Sequence, residues 1–372
     1  MADFGGEFVV PSTVYVPGSI VVGEWKNVLV TVDTIPLDSP MDLSCTANIN
    51  FGAGKATITA GDAERIQYES LLEGKEVEIF LKKPDINIAN KVWGGYLEST
   101  KWAENKKNVL TLTVKEYSSR LLQQKLGAAL SWAGTDLQTV LQNILAKQTD
   151  LTYDAITAMG ITGKAIYMDF TADTIIYDAI RKVCEQNDYY FGVSVNRDCY
   201  ARKKTDVFLS ADTLVAGENV MSQNEIETNK EFQLTTVDVK SKTSGGTVYA
   251  GTATSTEPAL TQSRTVYVSD LTSNAAAAAY AQTLIDTNES PLFTAKVPSA
   301  LLMYTQPTYS LPCNIPKKGI VGNYIVVEIS HTWSQDKGIC STTILSNKII
   351  DTTIELGFIS RRVNTLESKT FA

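Results

Sequence analysis

Histidine is almost absent: the 372-residue chain holds one, His331. That rules out a site built on two imidazoles. A Ser-His-Asp or Cys-His nucleophile would have to use His331, and no GxSxG turn surrounds any serine. GxxxxGK[ST] is missing, and no GxGxxG follows a strand-like run, so the common phosphate-cradling loops are missing too. The cysteines are five, Cys45, Cys184, Cys199, Cys313 and Cys340, with no CxxC among them. The spacing of a Cys/His zinc site is therefore lacking. Single thiols scattered over apolar segments suit a reducing compartment, where they pack as small hydrophobes. No apolar run approaches the ~20 residues of a membrane span. The start, MADFGGEFVV, carries Asp3 and no basic stretch, so no secretory signal is expected, and the chain reads as made and folded in the cytosol. Basic charge is also short: 33 Lys and Arg against 41 Asp and Glu give a net charge of −8 and a pI near 5.0. That argues against stable nucleic-acid binding and against docking on anionic membranes.

What is present is an ordinary core. Hydrophobic residues make up 44% of the chain and charged residues 20%, enough for two to four domains at this length. Tyr outnumbers Phe, 16 to 11, and Thr is plentiful, as in β-rich chains with half-exposed faces. Two distant segments share one hairpin pattern. Gly94–Val114 has Gly95 and Tyr96, a strand-like run to Trp102, a polar turn over residues 103–108, and a Thr-rich second strand. Gly322–Ser346 repeats this with Gly322, Tyr324, Trp333, a turn at residues 334–338 and STTILS. A duplicated β-unit lets n subunits present 2n similar units, which points to assembly rather than catalysis.

Residues 1–117 read as one antiparallel β-domain, a sandwich or small barrel. Short strands FVV, VYV, SIVV and VLVTV are broken by Pro11, Pro17 and Pro36. A hairpin follows at Asp42–Phe51 and Lys55–Ala60, then a brief helix within Asp62–Gly74, EVEIFLK, and the first Tyr/Trp hairpin. Residues 118–204 read as a small α+β domain. Thr135 or Asp136 would cap a helix whose stripe is Leu137, Val140, Leu141, Ile144 and Leu145. Thr171 would cap another, with Ile175, Ile176, Ala179, Ile180 and Val183 as its stripe. A hairpin turns at Asn196–Asp198. Strands resume at Val207–Ser210 and Glu231–Lys242. Ser273–Asn288 is an Ala-rich helix with Tyr280, Leu284 and Ile285 as its heavier face. More strands follow, and a polar tail ends the chain.

Few residues offer chemistry. His331 sits between Ile329 and Trp333, where a lone His is expected to be a satisfied strand residue. Asp169, Asp173 and Asp178 cluster at a helix start and read as caps and dipole partners. Arg202, Lys203 and Lys204, beside Arg197, form the strongest local basic patch. At a strand end it reads first as a solvated edge and second as a functional patch. Trp25, Trp93, Trp102 and Trp132 could stack on sugars or pack in the core. No catalytic, cofactor or metal residue is expected.

The order of parts resembles the tail hub (baseplate hub) proteins of long-tailed phages and their counterparts in contractile injection systems and type VI secretion spikes. Gly94–Gly95–Tyr96 to Val114, followed by Lys115–Leu122 (KEYSSRLL), is similar to the family's barrel hairpin running into an xDYxxRL element, with Glu116 where Asp is commoner. TADTIIYDAIRKVCEQNDYYFGV resembles its middle helix and strand. GIVGNYIVVEISHTWSQDKGICSTTILS resembles its final hairpin, with His331 on the family's frequent His; the family's usual Pro-Gly ahead of that hairpin has no clear match. The resemblance implies an α+β, mainly β chain with two tube-like antiparallel β-barrel domains and two smaller α+β inserts. The barrels would be residues 1–117 and 205–245 plus 295–350; the inserts 118–204 and 246–294; the tail 351–372. It further implies a homotrimeric ring of pseudo-sixfold symmetry in the virion tail tip or baseplate, assembled in the host cytoplasm. Its partners would be the tail tube or distal tail protein ring, a spike or tail-tip protein, and a tape measure protein, around a channel for DNA. The alternative is a tail-associated carbohydrate- or receptor-binding module.

Overall fold

A computed structural model describes residues 28–347 apart from 50–53, 63–66, 68–70, 83–88, 105–107, 159–164, 188, 204–205, 207, 222–224, 230–233, 243–246, 256–262, 270, 272, 289–291 and 337. The expected strands before residue 28, most of the expected Asp62–Gly74 helix and the polar tail lie outside the described residues.

The named elements of the N-terminal part are strands: β1 (Val28–Val32), β2 (Ile35–Pro36), β3 (Pro40–Asn48), β4 (Lys55–Gly61), β5 (Glu76–Lys82), β6 (Ala89–Ala103) and β7 (Val109–Glu116). Strict alternation drives this. Ala56, Ile58 and Ala60 of β4, Val77, Ile79 and Leu81 of β5, and Leu110, Leu112 and Val114 of β7 are all fully buried on one face.

The next part mixes helix and strand: α1 (Ser119–Gln123), β8 (Leu130–Asp136), α2 (Leu137–Leu145), α3 (Asp154–Ala158), β9 (Ala165–Phe170), α4 (Ile176–Gln186), β10 (Tyr189–Val193) and β11 (Cys199–Lys203). Its core joins the stripes of α2 and α4 to Trp132, Met168, Phe170 and Phe191. Asp136 caps α2, accepting from Thr139 N at 3.0 Å. Thr171 is not the cap of α4, whose N-cap is Ile175. Thr171 instead closes the turn ahead of it, bonding Thr174 through backbone and hydroxyl.

The remaining elements are β12 (Leu214–Val215), β13 (Glu225–Asn229), β14 (Thr236–Lys242), β15 (Val248–Thr254), β16 (Ser263–Ser269), α5 (Asn274–Asn288), β17 (Leu292–Ser299), β18 (Ser310–Ile315), β19 (Ile320–Ser334) and β20 (Gly338–Ser346). β14, which the sequence reading assigned to the second barrel, pairs instead with β15 and β16 in a separate three-stranded sheet under α5. Gly251 lets the helix close on that sheet, since a Cβ there would stand 2.1 Å from Ala278 N.

β8 and β9 form a separate pair, as do β10 and β11, while β1–β7, β12, β13 and β17–β20 form one continuous sheet with an internal repeat. In space the first unit runs β3-β4-β7-β6-β5-β1 and the second β13-β17-β20-β19-β18-β12. Strands of equal rank in the two units also follow the same chain order. The one change of sense is at the end, where β1 and β5 are antiparallel and β12 and β18 parallel. The likeness reaches single bonds. Leu97 N donates to Lys75 O and Gly74 N to Leu97 O; Val326 N donates to Tyr309 O and Thr308 N to Val326 O. A bulge follows each of these residues, between Leu97 and Ser99 and between Val326 and Glu328. In the second unit Val220 bridges both Ala216 and Ser299, drawing its two ends together.

Candidate assembly site

The two units share a wall. β3 has β4 on one side and takes β19 on the other, in register from Asn48↔Glu328 to Asp42↔Ser334. Thr46 and Ser330 hydroxyls meet at 3.0 Å, and Asn48 Nδ2 donates to the Glu328 carboxylate at 2.7 Å. Trp93 Nε1 donates to Thr46 O at 3.1 Å. Leu301, Met303 and Trp333 of the second unit complete the core of the first, beside Leu43 and Ile58. Ala47 touches both cores. Burying one large side chain such as Trp333 contributes about 3 kcal/mol, so the first unit has no whole core alone.

His331 stands in this wall opposite Cys45. Its Nδ1 lies 2.9 Å from Ser341 Oγ, which also accepts from Leu302 N at 3.0 Å. Burial lowers its pKa to about 4, so it is neutral and held, as a satisfied strand residue. Burial likewise pushes the Cys45 thiol up to about 12, leaving it unreactive.

A second junction seats the α/β part on the first unit, and the GGY and EYSSRL segments build it. Gly94 gives the Tyr117 ring room: a Cβ there would stand 2.5 Å from it. At Gly95 a Cβ would meet Lys115 O at 2.0 Å. Tyr96 and Tyr117 then pack edge to face at 5.4 Å, and the Arg120 guanidinium lies 4.4 Å over the Tyr96 ring. Tyr117 O–H donates to the Glu76 carboxylate. From the facing side, Tyr96 O–H meets Asp150 O at 3.3 Å, and Arg197 pairs with Glu76 at 3.3 Å. Arg197 holds the β10–β11 turn at φ 65°.

Arg202 corrects the reading of a solvated basic edge. Its guanidinium is half-buried between the rings of Tyr200, Phe208 and Tyr309, at 4.4, 4.1 and 4.8 Å, with Nη1 at 3.5 Å from Thr308 Oγ1. It ties β11 to the segments before β12 and β18. Lys204 lies outside the described residues. Where the three parts meet is a cavity of about 30 Å³, lined by Trp93, Glu116, Tyr117, Tyr200 and Gln306 among others. The Glu116 carboxyl turns inward beneath Gly54 and accepts from Ser118 Oγ at 3.3 Å. Desolvation raises its pKa to about 7 despite that bond.

The other sequence candidates are placed singly. Asp169 accepts from Ser131, Asp173 pairs with Lys125 and Asp178 with Arg181, all on the surface of the α/β part. Among the described residues no three His, Cys, Asp or Glu gather to hold a metal. Trp93 and Trp132 are core residues, and half-buried Trp102 donates Nε1 to Asp62 O at 3.0 Å. Trp25 lies outside the described residues. No described helix is long and apolar enough to cross a membrane. Sequence reasoning missed the Arg202 cage; its only local trace is Tyr200 two positions before Arg202, since Phe208 and Tyr309 are brought in by the fold.

No protein-family model and no curated protein matches this chain. Solved structures do. A tail protein from Neisseria meningitidis superposes with a TM-score of 0.66 at 14% identity, over 88% of this chain and 98% of the other. A 43 kDa tail protein of a prophage from Shewanella oneidensis gives 0.66 at 10%, over 88% and 99%. A prophage tail protein from Listeria monocytogenes gives 0.60 at 12%, over 90% and 98%. The chain therefore has the fold of phage tail proteins: mainly β, with smaller α/β parts.

Proposed function

We propose that this chain is the structural hub of a phage tail tip or baseplate, and not an enzyme. Three copies form a ring that offers six similar β-units, with residues 28–117 and the second unit as alternating members. One face receives the hexameric tail tube or distal tail ring, with the tape measure protein, and the other a trimeric spike or tail-tip protein. The ring leaves a channel through which DNA passes. The observation that supports this best is the repeat of six strands in one spatial order, joined inside one chain by the β3–β19 ladder. Two similar but distinct units are what a threefold object needs in order to meet a sixfold one. The sugar-binding alternative loses two of its four tryptophans, because Trp93 and Trp132 are enclosed in cores.

The test is the mass in solution by light scattering over a range of concentrations. Three times the 40.6 kDa chain, about 122 kDa, supports the ring. A monomer at every concentration, with no change when a cognate spike protein is added, overturns it.

A further inference from the structure

The repeat leaves one junction made and its equivalent open. Inside the chain, β3 of the first unit pairs with the end of β19 that lies beyond its bulge. The strand that ranks with β3 in the second unit is β13, and the strand that ranks with β19 in the first is β6. β13 pairs with β17 on one side, and among the described residues no strand lies on its other side. β6 pairs with β5 from Ala89 to Tyr96 and with β7 from Gly95 to Ala103. Beyond its bulge, no described strand pairs with residues 99–101 on the side away from β7, and Ser99 and Lys101 are exposed.

We propose that β13 of one copy pairs antiparallel with residues 99–103 of β6 in a second copy, repeating head to tail the junction that β3 and β19 make within the chain. The proposal rests on the ring reading above for closure and adds to it the strands that meet. The register follows from the ladders. Leu97 ranks with Val326, so Val114 ranks with Leu345 and Ala56 with Ala295. Cys45 opposes Ala56 and Ile226 opposes Ala295, so Ile226 takes the place of Cys45. Counting past each bulge puts Trp102 in the place of His331. The Cys45↔His331 pair, buried inside the chain, thus becomes Ile226 opposite Trp102 between copies, and Ser44↔Thr332 becomes Glu225 opposite Ala103. Two side chains fit this. Ile226 is 41% exposed on an edge strand, whereas Cys45 is fully buried. Leu72, in the loop between β4 and β5, is 63% exposed, whereas Leu301 and Met303 of the matching β17–β18 loop sit in the neighbouring core. An open edge carrying an exposed Ile invites strand addition, and a second copy offers the complementary edge. Such a contact is heterologous, so it closes into a ring or runs on as a filament.

The test uses the full chain. A103C/E225C is treated with a short bis-maleimide, with each single variant as the background for the native thiols, and Ile226→Lys is weighed by light scattering. The pairing predicts that only the double variant links copies, ending at one closed size, and that Ile226→Lys moves the mass from the oligomer to the monomer. A double variant that links no better than the single ones overturns the pairing. If a trimer is nevertheless found, and Ile226→Lys leaves it intact, the ring stands and this edge is wrong. Links that grow as an open ladder keep the edge contact and remove the ring. A monomer that never links removes both.

Discussion

Glu116 and His331 should tilt stability in opposite directions over the same pH range. The Glu116 carboxyl is raised from 4.5 to about 7 by burial. A raised acid favours the folded state while protonated. Its contribution is full below its ordinary value and is lost as pH rises through about 7. His331 is lowered from 6.5 to about 4 by burial. Its contribution is present above its ordinary value and is lost as pH falls through about 4. Each contribution is on the order of 3 kcal/mol, so in the native chain the two slopes largely offset. Glu116→Gln removes the first. Relative to wild type, it should gain stability as pH rises from 4.5 to about 7. His331→Gln removes the second. Relative to wild type, it should gain as pH falls from 6.5 to about 4. Urea midpoints followed by tryptophan fluorescence give both curves, and subtracting wild type cancels the carboxylates the variants share. Parallel curves for His331→Gln and wild type would refute the account of a buried neutral imidazole in the β3–β19 wall. A Glu116→Gln curve without tilt would refute the desolvated carboxyl.

Gly94→Ala should drive a methyl into the Tyr117 ring and cost about 2–3 kcal/mol by overpacking. In a Tyr117→Ala background it should cost under about 1 kcal/mol, and equal costs in both backgrounds would break the argument. Arg202→Lys keeps the charge but loses the planar stack on three rings, about 1–2 kcal/mol. It should speed limited proteolysis around residues 204–208 without changing the far-UV circular dichroism, and an unchanged cleavage rate would count against the cage.

The two long hairpins were legible because Trp and Thr alternation flanks short polar turns in both. The α2 and α4 stripes were legible because their period is local. β14 was misplaced because VDV alternation declares a strand and not its partner. Arg202 looked solvated because two of its three rings lie beyond β11, one of them 107 residues on. The β3–β19 wall left no local trace, since its ladder joins residues some 280 positions apart. Gly94 and Gly95 were visible as a motif, and the fold supplies the reason: an aromatic ring and a carbonyl pressed against their α-carbons.

The shared wall also orders events in time. Leu301, Met303 and Trp333 complete a core whose other members are drawn from residues 28–114. While the chain is being synthesised, the first unit therefore waits with its β3 edge and part of its core uncovered until residue 333 emerges. A truncated product that ends before β19 carries that uncovered edge permanently. Only chains that extend through β19 hide it, so the fold itself distinguishes them from shorter products before any ring is built.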